Sequence, residues 1–145
     1  MLKRLFGQPE KDPNDDDYLA LIVDDDQDIR ITLRELFTEA GFQVSEASEG
    51  KAALAILRAS LKPMVVFLDL MMPNGMGGEE AMNEIEADPR LIGRHGFILM
   101  TAAPNTLRLP FAQLLTRYNI PVLHKPFDIY EALALAQDTV RRIVK

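Results

Sequence analysis

At 145 residues the chain has room for one domain with a real core and little more. Apolar residues make up 48% with both charge signs mixed in, as in soluble globular proteins, and the absence of cysteine excludes disulfides, thiolate metal sites and cysteine nucleophiles. Sixteen basic against 22 acidic residues give a formal net charge of −6, which argues against general nucleic-acid binding, and no apolar stretch is long enough to cross a bilayer.

Residues 1–18 read as a flexible N-terminal tail and residues 19–145 as the folded domain. Met1 to Gly7 is a basic-apolar heptamer, too short for a secretion signal, and reads as a frayed terminus or a weak membrane or partner anchor. The charged, proline-punctuated stretch that follows, to Asp17, buries too little to order itself. Leu19 to Val23 then predicts a buried strand that ends in Asp24-Asp25-Asp26. A helix is expected over Asp28 to Ala40, with Ile29, Leu33, Leu36, Phe37 and Ala40 on one face and Gly41 as its stop. Phe42 to Ala47 alternates as a strand, and Ser48 is expected to cap a helix running to about Ser60.

Met64 to Asp69 is a short run dense in valine, leucine and phenylalanine, the pattern of a strand buried on both faces. Gly78 to Ala87 reads as a polar-faced helix closed by Asp88-Pro89, and Phe97 to Thr101 as a fourth strand. A helix is expected from Pro110 to near Tyr118, a fifth strand over Pro121 to His124, and a last helix capped by Asp128. Strand and helix alternate five times, which predicts an α/β fold: a doubly wound (βα)5 parallel sheet with helices on both faces and right-handed crossovers.

On that frame Asp24 and Asp25 close the first strand, Asp69 the third, Thr101 the fourth, and Lys125 follows the fifth. All lie at the carboxyl ends of strands, the edge where open α/β sheets bind ligands. Three converging carboxylates repel one another and call for a hard divalent cation, for which magnesium is the natural choice. Magnesium also neutralises a transferring phosphoryl group and leaves one carboxylate free to attack it. Lys125 supplies a positive charge for phosphoryl oxygens and the Thr101 hydroxyl a hydrogen bond. Singly, each residue has a plain structural role, as helix cap, strand end or turn; the combination is what points to chemistry.

The motifs Ile22-Val23-Asp24-Asp25-Asp26, Leu68-Asp69-Leu70-Met71-Met72-Pro73, Met100-Thr101-Ala102 and Lys125-Pro126-Phe127 resemble those of the receiver domain of two-component response regulators. The resemblance covers Leu19 to Lys145 and implies a flavodoxin-like fold, with Asp69 accepting a phosphoryl group from a histidine kinase or phosphotransfer protein. It further implies that Asp25, Asp69 and the backbone carbonyl of Met71 bind magnesium directly and Asp24 through water. Thr101 and Lys125 would contact the phosphoryl group, and the Lys125–Pro126 peptide bond would be cis. A cytoplasmic protein follows, a monomer or weak homodimer, that catalyses only its own phosphorylation and dephosphorylation and switches an output protein. It is either complete in itself or a module separated from a larger regulator.

This chain departs from the family in three places. The loop after Pro73, Asn74-Gly75-Met76-Gly77-Gly78, is one residue longer and lacks an aspartate, so it is expected to be pliant. Val122 stands where an aromatic residue usually swings inward on activation. The segment Ala102 to Pro110 carries two prolines, which makes it, with Phe111 and the last helix, the expected output route. A rival reading, a magnesium-dependent aspartyl phosphatase of the dehalogenase-like class, needs a second carboxylate where Met71 stands, and a thioether cannot donate a proton. His95 and His124 have no second ligand at metal spacing and are expected to play no part.

Overall fold

In the computed structural model, which describes residues 18–143, the first apolar run is strand β1 (Tyr18–Val23) and ends where the acidic triplet begins. Tyr18, assigned from sequence to the tail, is its first residue; the expectations for residues 1–17 lie outside the described residues. Helix α1 (Gln27–Glu39), β2 (Phe42–Ala47), α2 (Gly50–Ala59), β3 (Met64–Asp69) and α3 (Gly78–Ala87) follow. After them come α4 (Pro89–Arg94), β4 (Gly96–Thr101), α5 (Leu109–Arg117), β5 (Val122–His124) and α6 (Ile129–Ile143). All four strand pairings are parallel, in the order β2-β1-β3-β4-β5. This is the flavodoxin-like doubly wound sheet expected from the alternation of elements.

Burial on both faces explains why the strands read as continuous apolar runs. Val65 and Phe67 of β3 pack with Leu33, Leu36 and Phe37 of α1 and with Leu133, Ala136 and Val140 of α6. Val66 and Leu68 pack on the other face with Leu54 and Leu57 of α2, Met82 and Ile85 of α3, and Phe111 and Leu114 of α5. The rings of Phe37 and Phe67 lie 4.9 Å apart between centroids, a tilted pair that ties α1 to the central strand and contributes about 0.5–1.5 kcal/mol beyond its buried area.

Two helix starts differ from the sequence expectation. The cap of α2 is Glu49, not Ser48: its carboxylate accepts the N–H groups of Lys51 and Ala52. Asp88-Pro89 does end α3, but it also begins α4. The Asp88 side chain accepts the Arg90 N–H at 3.0 Å, with Pro89 in the first turn, where its missing N–H costs nothing. There are therefore six α-helices among the described residues, one more than the five-fold alternation predicts.

The short α4 delivers His95 into the core. Its Nδ1 accepts the Met64 N–H at 3.0 Å and so joins the start of β3 to the start of β4. Burial, helped by the charge of Arg94, lowers its pKa to about 4 and keeps the ring neutral. Nε2 is buried without a well-formed partner. His95 is a latch in the core, and His124 is exposed at the end of β5.

Gly96 at the start of β4 is required by close packing rather than by backbone freedom. A Cβ there would lie 2.2 Å from Thr139 Cγ2 and 3.1 Å from Ile143 Cγ2 on α6. Gly96→Ala is therefore expected to lower the unfolding free energy by about 1–3 kcal/mol. Adding Thr139→Ser, which removes the offending methyl and keeps the hydroxyl bonded to the Leu135 carbonyl, should recover more than half of that loss. Urea unfolding of the two variants checks this; a double variant no more stable than Gly96→Ala would contradict it.

Candidate functional site

The strand order sets β1, β3, β4 and β5 side by side, so the residues that end them meet at one edge. Asp24 follows β1 and is fully buried, while Asp69 ends β3 at 3% exposure and Thr101 ends β4 at 3%. One oxygen from each of Asp24, Asp25 and Asp69 can be chosen so that all lie within 4.8 Å of one another. Lys125 enters from the β5–α6 turn, its Nζ 2.6 Å from Asp24 Oδ2 and 3.2 Å from Asp69 Oδ1. The peptide bond that follows it, to Pro126, is cis. The structure thus brings together Asp24, Asp25, Asp69 and Lys125, with Thr101 on the adjoining strand end.

Local bonding fixes each group. The second oxygen of Asp24, Oδ1, accepts the Asp26 N–H at 2.9 Å. Its backbone carbonyl accepts from Arg30 Nη1 at 2.7 Å, and Arg30 is held in turn by Glu46, 3.2 Å from its Nε. Thr101 Oγ1 accepts the Ala103 N–H at 3.0 Å, which leaves its own hydrogen free to donate. The Thr101 carbonyl accepts the Lys125 N–H at 2.8 Å, so the two strand ends are tied by backbone. Asp69 Oδ1 accepts a long hydrogen bond, 3.4 Å, from the Met71 N–H, while the Met71 side chain projects into solvent.

The electrostatics are those of an anionic site short of positive charge. Burial and then the charge of Asp24 raise the Asp69 pKa to about 6, against the opposing pull of Lys125. Burial works against the Lys125 ammonium, yet its hydrogen bond to Asp24 and the charges of Asp69 and Asp24 outweigh that and raise its pKa. One lysine is paired with two of the three carboxylates. A hard cation among these oxygen donors would remove the surplus, and the donor set fits one.

Two contributors escaped the sequence reading. Arg30 was legible only as an exposed helix residue, because its role depends on the Asp24 backbone coming within reach. Glu49 stands beside Ser48, a better capping residue by type. The Asn74–Gly78 loop, expected to be pliant, is tied down at Gly75, Met76 and Gly78 by hydrogen bonds to Met72, Glu49 and Leu70. Phe111, assigned from sequence to an output surface, is buried, and Leu109 is the exposed apolar residue there.

Residues 20–137 match the family described as the response regulator receiver domain. Sporulation initiation phosphotransferase F of Bacillus subtilis is 35% identical over 111 residues, 77% of this chain and 84% of that protein. YrkP, an uncharacterized transcriptional regulatory protein of the same organism, is 38% identical over 90 residues. That alignment takes in 62% of this chain but only 36% of YrkP, so the chain spans little more than a third of that relative. A CheY-like response regulator receiver domain protein from Methanospirillum hungatei JF-1 superimposes with a TM-score of 0.73 at 26% identity, over 87% of this chain and 96% of that one.

Asp69 and His95 give opposite pH dependences over nearly the same window. The Asp69 pKa rises on folding from 3.8 to about 6, so its contribution is complete below 3.8 and is lost as pH rises through about 6. The His95 pKa falls on folding from 6.5 to about 4, so its contribution is complete above 6.5 and is lost as pH falls through about 4. In metal-free buffer, Asp69→Asn should be more stable than the parent at pH 7.5, by about 1–3 kcal/mol, with the difference vanishing toward pH 4. His95→Gln, which keeps an acceptor for the Met64 N–H, should improve relative to the parent on acidification. Urea unfolding between pH 7.5 and pH 4 reads both, and differences independent of pH would refute the linkage.

Proposed function

The chain belongs to the response regulator receiver domain family, and on that premise we propose that Asp69 accepts a phosphoryl group from the phosphohistidine of a kinase or phosphotransfer protein. The observation that carries this reading is Lys125 Nζ standing 2.6 Å from Asp24 and 3.2 Å from Asp69 beside a third carboxylate. In the transfer the phosphorus–nitrogen bond of the donor breaks and a bond from phosphorus to an Asp69 oxygen forms. Lys125, already in contact with Asp69, meets the incoming phosphoryl oxygens, and the Thr101 hydroxyl donates to another. Asp25, Asp69 and the Met71 carbonyl would hold magnesium, which when bound would offset the charge of the carboxylates and of the transferring group. Asp24 has one oxygen committed to Lys125 and the other to the Asp26 N–H, in keeping with a ligand that acts through water.

The chain is a switch, and its only chemistry is on itself. Met71 provides no second carboxylate to protonate a leaving group, which speaks against turnover of phosphate esters. A cytoplasmic location belongs to the same reading and follows from the family rather than from the fold. Output runs through the two-proline segment. Pro104–Thr106 forms a single 3-10 turn, and Arg108 is clamped to Glu79 of α3 by paired hydrogen bonds of 3.2 and 2.8 Å. A groove of about 540 Å³ lies beside this segment, lined by Leu107, Leu115, Ile120, Val122 and Leu135 among others. Movement of Thr101 toward a phosphoryl group pulls on Ala103 through their shared hydrogen bond and reshapes the groove.

With magnesium and acetyl phosphate, one site should be labelled, and Asp69→Asn should abolish labelling while the fold survives. Mass spectrometry decides, and labelling that persists in the variant would sink the assignment. Asp25→Ala should lose magnesium affinity by about tenfold or more, since loss of even an outer partner of a metal ligand costs about that much. Thr101→Ala should keep that affinity and lose the structural response to beryllium fluoride. A magnesium titration followed by NMR separates the two, and equal loss of affinity in both variants would contradict the division of roles.

A further inference from the structure

We propose that Glu49 is a positioning residue for phosphoryl transfer, acting through the loop that follows Asp69; this rests on the assignment of Asp69 as acceptor. Glu49 caps α2, with Oε1 accepting the Lys51 N–H and Oε2 the Ala52 N–H, both at 2.9 Å. The same Oε1 accepts the Met76 N–H, 27 residues further along the chain, at 3.2 Å. The Gly50 N–H donates back to the Met76 carbonyl at 2.8 Å, so Met76 is gripped by both of its backbone polar groups. Packing at the grip is tight. A Cβ on Gly50 would lie 2.9 Å from Met76 Cγ and O, and one on Gly75 would lie 2.9 Å from Glu49 Cβ and Cγ.

A helix start alone does not call for glutamate, since serine, threonine, aspartate and asparagine cap better. Only a longer side chain can cap α2 and also reach across to the loop. That loop carries one residue more than the family pattern, and the grip holds it at Met76. Its remaining ties run back toward the site: Gly75 N–H to the Met72 carbonyl at 3.3 Å and Gly78 N–H to the Leu70 carbonyl at 3.2 Å. Met71 lies between Leu70 and Met72. With Met76 held, the direction of the Met71 carbonyl is set before any cation arrives. With Met76 released, three glycines in five residues regain their backbone freedom, and ordering them opposes metal binding.

Two variants divide capping from reach. Glu49→Ser keeps a good cap but is too short to span the gap to Met76. Glu49→Gln keeps the oxygen that holds Met76 and loses one cap acceptor. The readouts are the magnesium concentration for half-maximal labelling of Asp69 by acetyl phosphate and the urea midpoint in metal-free buffer. Glu49→Ser should raise the magnesium requirement about 5- to 10-fold, the scale of one ordinary hydrogen bond, with its urea midpoint falling no further than that of Glu49→Gln. Glu49→Gln should keep the parent's magnesium requirement although its midpoint falls. A Glu49→Ser protein labelled at the parent's magnesium requirement would overturn the proposal, as would a requirement that follows stability in both variants. A parent chain that is not labelled at all would instead overturn the assignment of Asp69.

Discussion

The Lys125 ammonium, held between the Asp24 and Asp69 carboxylates, is the contact on which the edge of this sheet depends. Asp24 is fully buried and Asp69 nearly so, and buried charges of like sign persist only when paired and hydrogen-bonded. The pairing requires the ends of β1 and β3 and the turn after β5 to arrive at the same height, a long-range condition satisfied by parallel register across the sheet. The pairing is also incomplete. Burial and then the charge of Asp24 leave Asp69 hard to ionise even beside Lys125, and that residual cost is what an incoming cation would relieve.

The second layer of the site is made of backbone. Arg30 fastens the Asp24 carbonyl, the Thr101 carbonyl receives the Lys125 N–H, and Ala103 reaches back to the Thr101 hydroxyl. These bonds link Thr101 in two directions, to the lysine and to the segment before α5. In the proposed switch those two routes are the coupling, and the differential contacts made in each state set its size.

Much of this is legible in the amino-acid sequence. The β3 run could be read because burial on both faces removes polar residues, and Asp69 stood out because it breaks that run. Asp24, Thr101 and Lys125 were legible because strand ends are marked by abrupt changes of residue type. The failures share a cause. Glu49 was hidden by Ser48, a better cap by type, and its true partner Met76 is remote in the chain. Helix α4 was hidden because Asp-Pro reads equally well as a stop and as a start. The loop after Pro73 looked pliant because glycine content reports the freedom of the isolated segment and not the bonds made to it from α2.

The shape of β5 bears on how copies of this protein meet one another. As an edge strand it has only three residues, Val122 to His124, and prolines stand on both sides of it at positions 121 and 126. Neither proline has an N–H to donate, and the Pro121 carbonyl is already turned inward to the Leu99 N–H. A second chain seeking to extend the sheet at this edge finds almost no ladder to continue. The flank that carries the groove beside Val122 thus offers little to strand addition, and what it presents to another molecule is chiefly side chains.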